Sequence, residues 1–104
     1  MPVEDPQKTS SRTMDEMRAY HARYLTAVNN PIRRQILRAL KPGARTVETL
    51  ESDTGLRSQI LEWHLSILEH GSCVRKEKRD GVEWYQLTKE GRVVDYMDKE
   101  ATGL

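Results

Sequence analysis

The 104-residue sequence predicts a mainly α chain with one small β-hairpin (α+β), in the order helix, helix, helix, helix, hairpin, helix. Three observations predict it. Apolar residues recur at three- and four-residue steps through the segments between Asp15 and Gly71, the spacing of amphipathic helices. Capping and breaking residues divide those segments: Asn30-Pro31, Pro42-Gly43, Thr46 and Gly55. The run "SCVRKEKRDGVEWYQLT" then sets Asp80-Gly81 between two stretches of strand character, the pattern of a tight hairpin.

Each element follows from its residues. Residues 1–12 are polar, hold Pro2 and Pro6 and show no periodicity, so a flexible tail is expected there. One domain is expected over 13–102, with no internal repeat. The first helix runs from Asp15 to Asn29, with Met17, Tyr20, His21, Tyr24, Leu25 and Val28 on one stripe. Two tyrosines on that stripe suggest a broad contact surface between molecules. Asn30 caps the second helix and Pro31 suits its first turn, where no amide hydrogen is needed. Ile32, Ile36, Leu37 and Leu40 should face inward. Thr46 caps a short third helix and Gly55 ends it. The fourth helix lies in "GLRSQILEWHLSILEHG", residues 55 to 71. On a helical wheel Ile60, Leu61, His64, Leu65 and Leu68 cluster on one side, and Gln59, Glu62, Trp63 and Ser66 on the other. Trp84 and Tyr85 alternate on the second strand, so one should pack inward and one outward. Thr88 caps a last helix whose apolar side holds Val93, Val94 and Met97.

Composition narrows the function. Hydrophobic content is 37% with no Phe, a thin core that a partner subunit would complete. No apolar run approaches the roughly 20 residues of a membrane helix, and "MPVEDPQKTSSR" lacks the apolar region of a secretory signal. A single cysteine, Cys73, suits a reducing, cytoplasmic setting. No phosphate loop, serine elbow or paired acid and base is recognisable, so neither an enzyme nor a cofactor is expected. The 17 basic and 16 acidic residues nearly balance, so distribution matters more than total. Three basic patches stand out: Arg33-Arg34 with Arg38, Lys41 with Arg45, and Arg75-Lys76 with Lys78-Arg79.

A short helix, a tight glycine turn and a longer helix make a helix-turn-helix unit. The basic hairpin that follows lies where a wing would. In a DNA-binding unit of this kind the second helix enters the major groove. Gln59 would pair with adenine and Glu62 would accept from cytosine N4. Arg57 and Ser58, at the helix start, suit phosphate or guanine. Ser66 continues the outward face. Trp63 would meet DNA sugar or a thymine methyl, or instead pack on the wing or a partner protein. Lys76, Lys78 and Arg79 on the wing, with Arg45, would reach phosphates.

From about Leu25 to Thr88 the chain resembles the ArsR-type family of small winged helix-turn-helix regulators. The resemblance rests on "AVNNPIRRQILRAL", "TVETLESDTGL", "LEWHLSILEHG" and "VRKEKRDGVEWYQLT". It implies a homodimer packed through the first and last helices, here Met17, Tyr20, Tyr24, Val93, Val94 and Met97. It also implies double-stranded palindromic operators as partners and release often controlled by a ligand or metal. Several departures matter. Where the family's metal sensors carry Cys-x-Cys, this chain reads Val47-Glu48-Thr49-Leu50, and no histidine follows Thr88. The family's known metal sites are therefore not expected. His70-x-x-Cys73 reads as an ordinary helix-end histidine and a buried strand cysteine. Glu62 stands where a small polar residue is usual. Glu51, on an inward-pointing position, should reach an edge or pair with Arg57 or His64, since a buried unpaired carboxylate is costly. These departures keep a second reading open: a winged helix that docks protein rather than DNA. No small-molecule effector is specified.

Overall fold

The computed structural model describes residues 6–97, with side chains described for 13–97. Four helices, α1 (Pro6–Val28), α2 (Pro31–Ala39), α3 (Val47–Thr54) and α4 (Ser58–His70), precede a hairpin of β1 (Val74–Arg79) and β2 (Val82–Leu87). A 3₁₀ helix η1 (Glu90–Val93) then continues as helical residues 94–97. The expected tail and the expected domain end at 102 fall partly outside the described residues. Helix α1 starts at Pro6 rather than near Asp15. Pro6 suits a first turn, and the polar residues after it carry no apolar stripe by which a sequence reading could find them.

The boundaries have local causes. The Asn30 side chain accepts hydrogen bonds from the amides of Ile32 and Arg33 at 2.9 and 3.0 Å, a cap that contributes about 1 kcal/mol. The Thr46 hydroxyl accepts from the Thr49 amide at 3.2 Å and opens α3. Gly55 ends α3 at φ +77°, its amide donating to Glu51 O at 2.8 Å. Nothing lies within 4 Å of where its Cβ would stand, so the left-handed backbone, not lack of space, selects glycine. The hairpin is antiparallel, with Arg79 opposite Val82. Asp80 and Gly81 have φ of +50° and +82°, the geometry of a two-residue type I′ turn.

One core sits beneath the helix-turn-helix unit. Ile36, Leu37, Leu40, Leu50, Leu61, Leu65 and Leu68 are fully buried there with Ala27, Cys73 and Val94. Each large aliphatic contributes roughly 1.5–3 kcal/mol of burial. Two residues expected in the core are not. Ile32 is 37% and Ile60 is 45% exposed. Ile60 lies about 100° around the helix from Leu61, at the rim of a buried stripe narrower than the wheel suggests. Tyr85 is buried and Trp84 half-buried, the expected alternation. Tyr85 also exchanges two backbone hydrogen bonds with Arg45, at 2.9 and 2.7 Å, adding a one-residue third strand to the sheet. Thr88 latches the last helix. Its hydroxyl donates to Ser72 O at 2.6 Å and accepts from the Gly91 amide at 3.1 Å.

Candidate nucleic-acid interface

The leucine stripe of α4 fixes which face is left uncovered. Gln59, Glu62, Trp63 and Ser66 are exposed, and Trp63 most decisively at 60%. Arg57 is exposed just before the helix and Ser58 is half-buried in its first turn. The expected outward face therefore exists, with one change. The Ser66 hydroxyl donates to Trp63 O at 2.8 Å. Its proton is committed within the helix, and Ser66 lines the groove between α1 and α4 instead, with Ala22, Arg23, Thr26, Ile67 and His70 around about 320 Å³. Ser66 offers a base little more than an acceptor.

The basic patches are rearranged by pairing. Arg33, expected at the surface, is 6% exposed. Its guanidinium donates to Ala27 O at 3.0 Å and Thr26 O at 2.9 Å, and Arg34 donates to Val28 O at 2.9 Å. These carbonyls end α1 and have no partner within their own helix, and the negative end of the helix dipole favours a cation there. Lys41 pairs with Asp95 at 2.6 Å, and half-buried Arg45 pairs with Asp53 at 3.7 Å. Arg45 thus points partly away from a DNA-binding role. On the wing, Arg79 pairs with Glu77 at 3.0 Å and lies 5.5 Å from the Trp84 ring centroid. Lys76 stands 4.0 Å from Glu83. Lys78 is exposed beside them. Exposed pairs of this kind contribute about 0–1 kcal/mol, so phosphate oxygens can replace these carboxylates at small cost.

His64 is 5% exposed, and its Nδ1 lies 3.2 Å from Arg33 Nη1. Burial, then the Arg33 charge, holds its pKa below the ordinary histidine value. The Trp63 ring stands edge-on against it at 4.8 Å. Glu51 is half-buried, and among the described residues it pairs with neither Arg57 nor His64. The reason is plain for His64, whose ring faces Arg33. Cys73 is fully buried, and burial followed by the charge of Glu90 pushes its thiol up to about 11, which makes it inert.

The residues expected at a dimer contact divide in two. Met17 is 64% and Tyr20 38% exposed, and Tyr24, Val93 and Met97 are half-buried. Val94 is instead wholly enclosed in its own chain's core, so it has no surface to offer a partner. Two residues that the sequence reading missed join the first group. Met14 is 55% and Tyr96 69% exposed. Tyr96 lies three residues beyond Val93, a helical step that could have revealed it. Tyr24, Val93 and Tyr96 line one groove between α1 and the last helix, of about 490 Å³.

No protein-family model and no curated protein matches the sequence. Solved structures do match. A "possible transcriptional regulatory protein (fragment 1-100)" from Mycobacterium bovis superposes with a TM-score of 0.74, at 25% identity over 82% of this chain and 94% of that one. The solution structure of the homodimeric winged helix-turn-helix DNA-binding domain Mb0332 from Mycobacterium bovis, a possible ArsR-family transcriptional regulator, gives 0.73, at 24% identity over 97% and 90%. The fold is that of the ArsR-type winged helix-turn-helix regulators. HlyU from Vibrio cholerae gives 0.66, at 27% identity over 76% of this chain and 88% of that one. In the terms of that fold, α3 and α4 are the helix-turn-helix and β1–β2 is the wing. No described helix is long and apolar enough to cross a membrane.

Proposed function

We propose that the chain is a sequence-specific, double-stranded DNA-binding transcriptional regulator that works as a homodimeric repressor. One observation carries the reading. The second helix of a helix-turn-helix is anchored by Leu61, Leu65 and Leu68 and leaves Gln59, Glu62 and Trp63 uncovered beside a basic wing. Gln59 pairs with adenine, Glu62 accepts from cytosine N4, and Trp63 covers a thymine methyl. Arg57, Ser58, Lys76, Lys78 and Arg79 hold phosphates and set the register. Arg45 is a secondary phosphate contact once Asp53 releases it. The dimer forms through Met14, Met17, Tyr20, Tyr24, Val93, Met97 and Tyr96, exposed or half-buried apolar side chains of α1 and the last helix of the kind that marks interfaces. It sets two recognition helices about 34 Å apart, one turn of DNA. Occupying an operator excludes other proteins from it, which is repression. No enzymatic step, metal or cofactor enters the proposal.

The test is a comparison of a duplex from the protein's own upstream region with a scrambled duplex of equal composition. The Gln59→Ala variant should lose most of its preference for the first while keeping its affinity for the second. Equal losses on both would sink base readout. A second reading has one observation in its favour. Ile60 and Trp63, one helical step apart, are 45% and 60% exposed, and such a pair also suits protein docking. A folded dimer indifferent to both duplexes would select that reading.

A further inference from the structure

Arg33 stands in the first turn of α2, yet it is nearly enclosed at 6% exposure. Each nitrogen of its guanidinium is engaged. Nε donates to Ala27 O at 3.0 Å, Nη2 donates to Thr26 O at 2.9 Å, and Nη1 faces His64 Nδ1 at 3.2 Å. Thr26 and Ala27 belong to the last turn of α1, and His64 belongs to α4. One rigid side chain thus joins three helices.

Chemistry constrains the far end of this clamp. A guanidinium has donors and no acceptor. His64 Nδ1 must therefore accept, which requires a neutral imidazole with its proton on Nε2. Arg33 from α2 is the charged group against the ring, α1 contributes the neutral carbonyls beyond it, and Trp63 of the same helix stands against its edge. The apolar stripe of α4 selects the face that is buried, but the hydrophobic driving force behind it is not directional. A planar fork has fixed donor directions. The clamp also links two surfaces. Helix α1 carries exposed Met17 and Tyr20, and α4 carries Gln59, Glu62 and Trp63.

We propose that Arg33 is a positioning residue that fixes the recognition helix α4 to the end of the dimer helix α1 through the neutral ring of His64. The α4 face, Trp63 included, is thereby held at the angle that the dimer sets. The functional half of this proposal rests on the DNA-binding reading. The clamp itself does not.

The test uses the full-length chain, ¹⁵N-labelled. Long-range ¹H–¹⁵N correlations report the tautomer and titration of His64 between pH 5 and 8. The wild type should show a neutral ring protonated on Nε2 at pH 7, titrating below the ordinary histidine range. Arg33→Met should mix the tautomers, raise the titration and speed amide exchange in residues 58–70. A His64 that is charged at pH 7, or that carries its proton on Nδ1, overturns the clamp. With the upstream duplex, Arg33→Met should bind roughly tenfold more weakly while still dimeric, the scale of losing a hydrogen bond to a charged group. His64→Gln keeps an oxygen that accepts from Arg33 but does not titrate. It should stay within about threefold of wild type, less than 1 kcal/mol, and lack the fall in affinity expected of wild type on acidification. Unchanged affinity in Arg33→Met, or parallel pH profiles for wild type and His64→Gln, overturns the positioning role. If Arg33→Met does not fold, the wild-type and His64→Gln comparison decides alone. If wild type binds no duplex, the DNA reading falls, and the tautomer and α4 amide exchange still decide the clamp.

Discussion

Replacing Gly91 by Ala should pull the last helix off the base of the hairpin. A Cβ at Gly91 would lie 2.2 Å from Cys73 O and 2.7 Å from Leu87 Cδ1. Close carbon–oxygen contacts settle near 3.3 Å, so about 1 Å of retreat is needed. The leucine methyl can rotate away. The Cys73 carbonyl cannot, because it accepts the Thr88 amide at 3.0 Å and belongs to a fully buried residue. The helix must therefore move. Overpacking of this kind costs about 1–3 kcal/mol, the loosened Thr88 cap about 1 kcal/mol, and partial exposure of Val94 about 1 kcal/mol. The sum is roughly 3–5 kcal/mol, a large part of a typical total of about 5–15 kcal/mol. Gly55→Ala is the control. It meets nothing within 4 Å but sits at φ +77°, so it should cost about 1–2 kcal/mol of backbone strain alone. Urea unfolding followed by far-ultraviolet circular dichroism, at two protein concentrations, measures both. Gly91→Ala should also weaken the dimer, since Val93 and Tyr96 move with the helix. A Gly91→Ala variant destabilised no more than Gly55→Ala would refute close packing at this site.

Other consequences follow from the same geometry. Met17→Glu with Tyr20→Glu should shift the chain toward monomer in sedimentation velocity without loss of helical signal; an unchanged dimer would place the interface elsewhere. Ser66→Ala should cost less than threefold in operator affinity, under about 0.7 kcal/mol, because its hydroxyl proton is already committed to Trp63 O, whereas a loss matching that of Gln59→Ala would restore Ser66 as a base reader. Stability should depend on pH through His64. Its folded pKa lies below the unfolded value of 6.5, so the unfolded chain takes up the proton first. That contribution is complete above about pH 6.5 and fades as pH falls through the folded value. His64→Gln should flatten this limb of a urea-midpoint profile, and an unflattened limb would assign it to other groups.

What was legible in the sequence was what is written locally. Asn30, Thr46, Gly55, Asp80-Gly81 and Thr88 act on backbone a few residues away, and each does in the structure what its chemistry implies. The alternation of Trp84 and Tyr85 and the leucine stripe of α4 are equally local. Most of the failures are long-range. Arg33 looks like a surface charge until the end of α1 and His64, 31 positions along the chain, close around it. A one-residue bridge between Arg45 and Tyr85 has no periodicity to betray it. Ile60 and Ile32 sit at the rims of stripes, where the width of the buried face depends on the neighbouring helix. Val94 and Met97 share one apolar run, and only the packing of the last helix against the hairpin separates core from surface. The outward face of α4 was readable because burial of its opposite side leaves no other choice. Which of its polar groups stay free was not, as the Ser66 hydroxyl shows.

The central claim is that α4 and the wing grip double-stranded DNA. Fluorescence anisotropy of a labelled duplex from the protein's own upstream region, across a salt series and against a scrambled duplex, tests it most directly. A dimer holding several phosphates should give a log–log salt slope of roughly −4 or steeper, with the upstream duplex bound tighter at every salt concentration. No binding at low salt by a confirmed folded dimer, or binding that neither salt nor sequence alters, would contradict it.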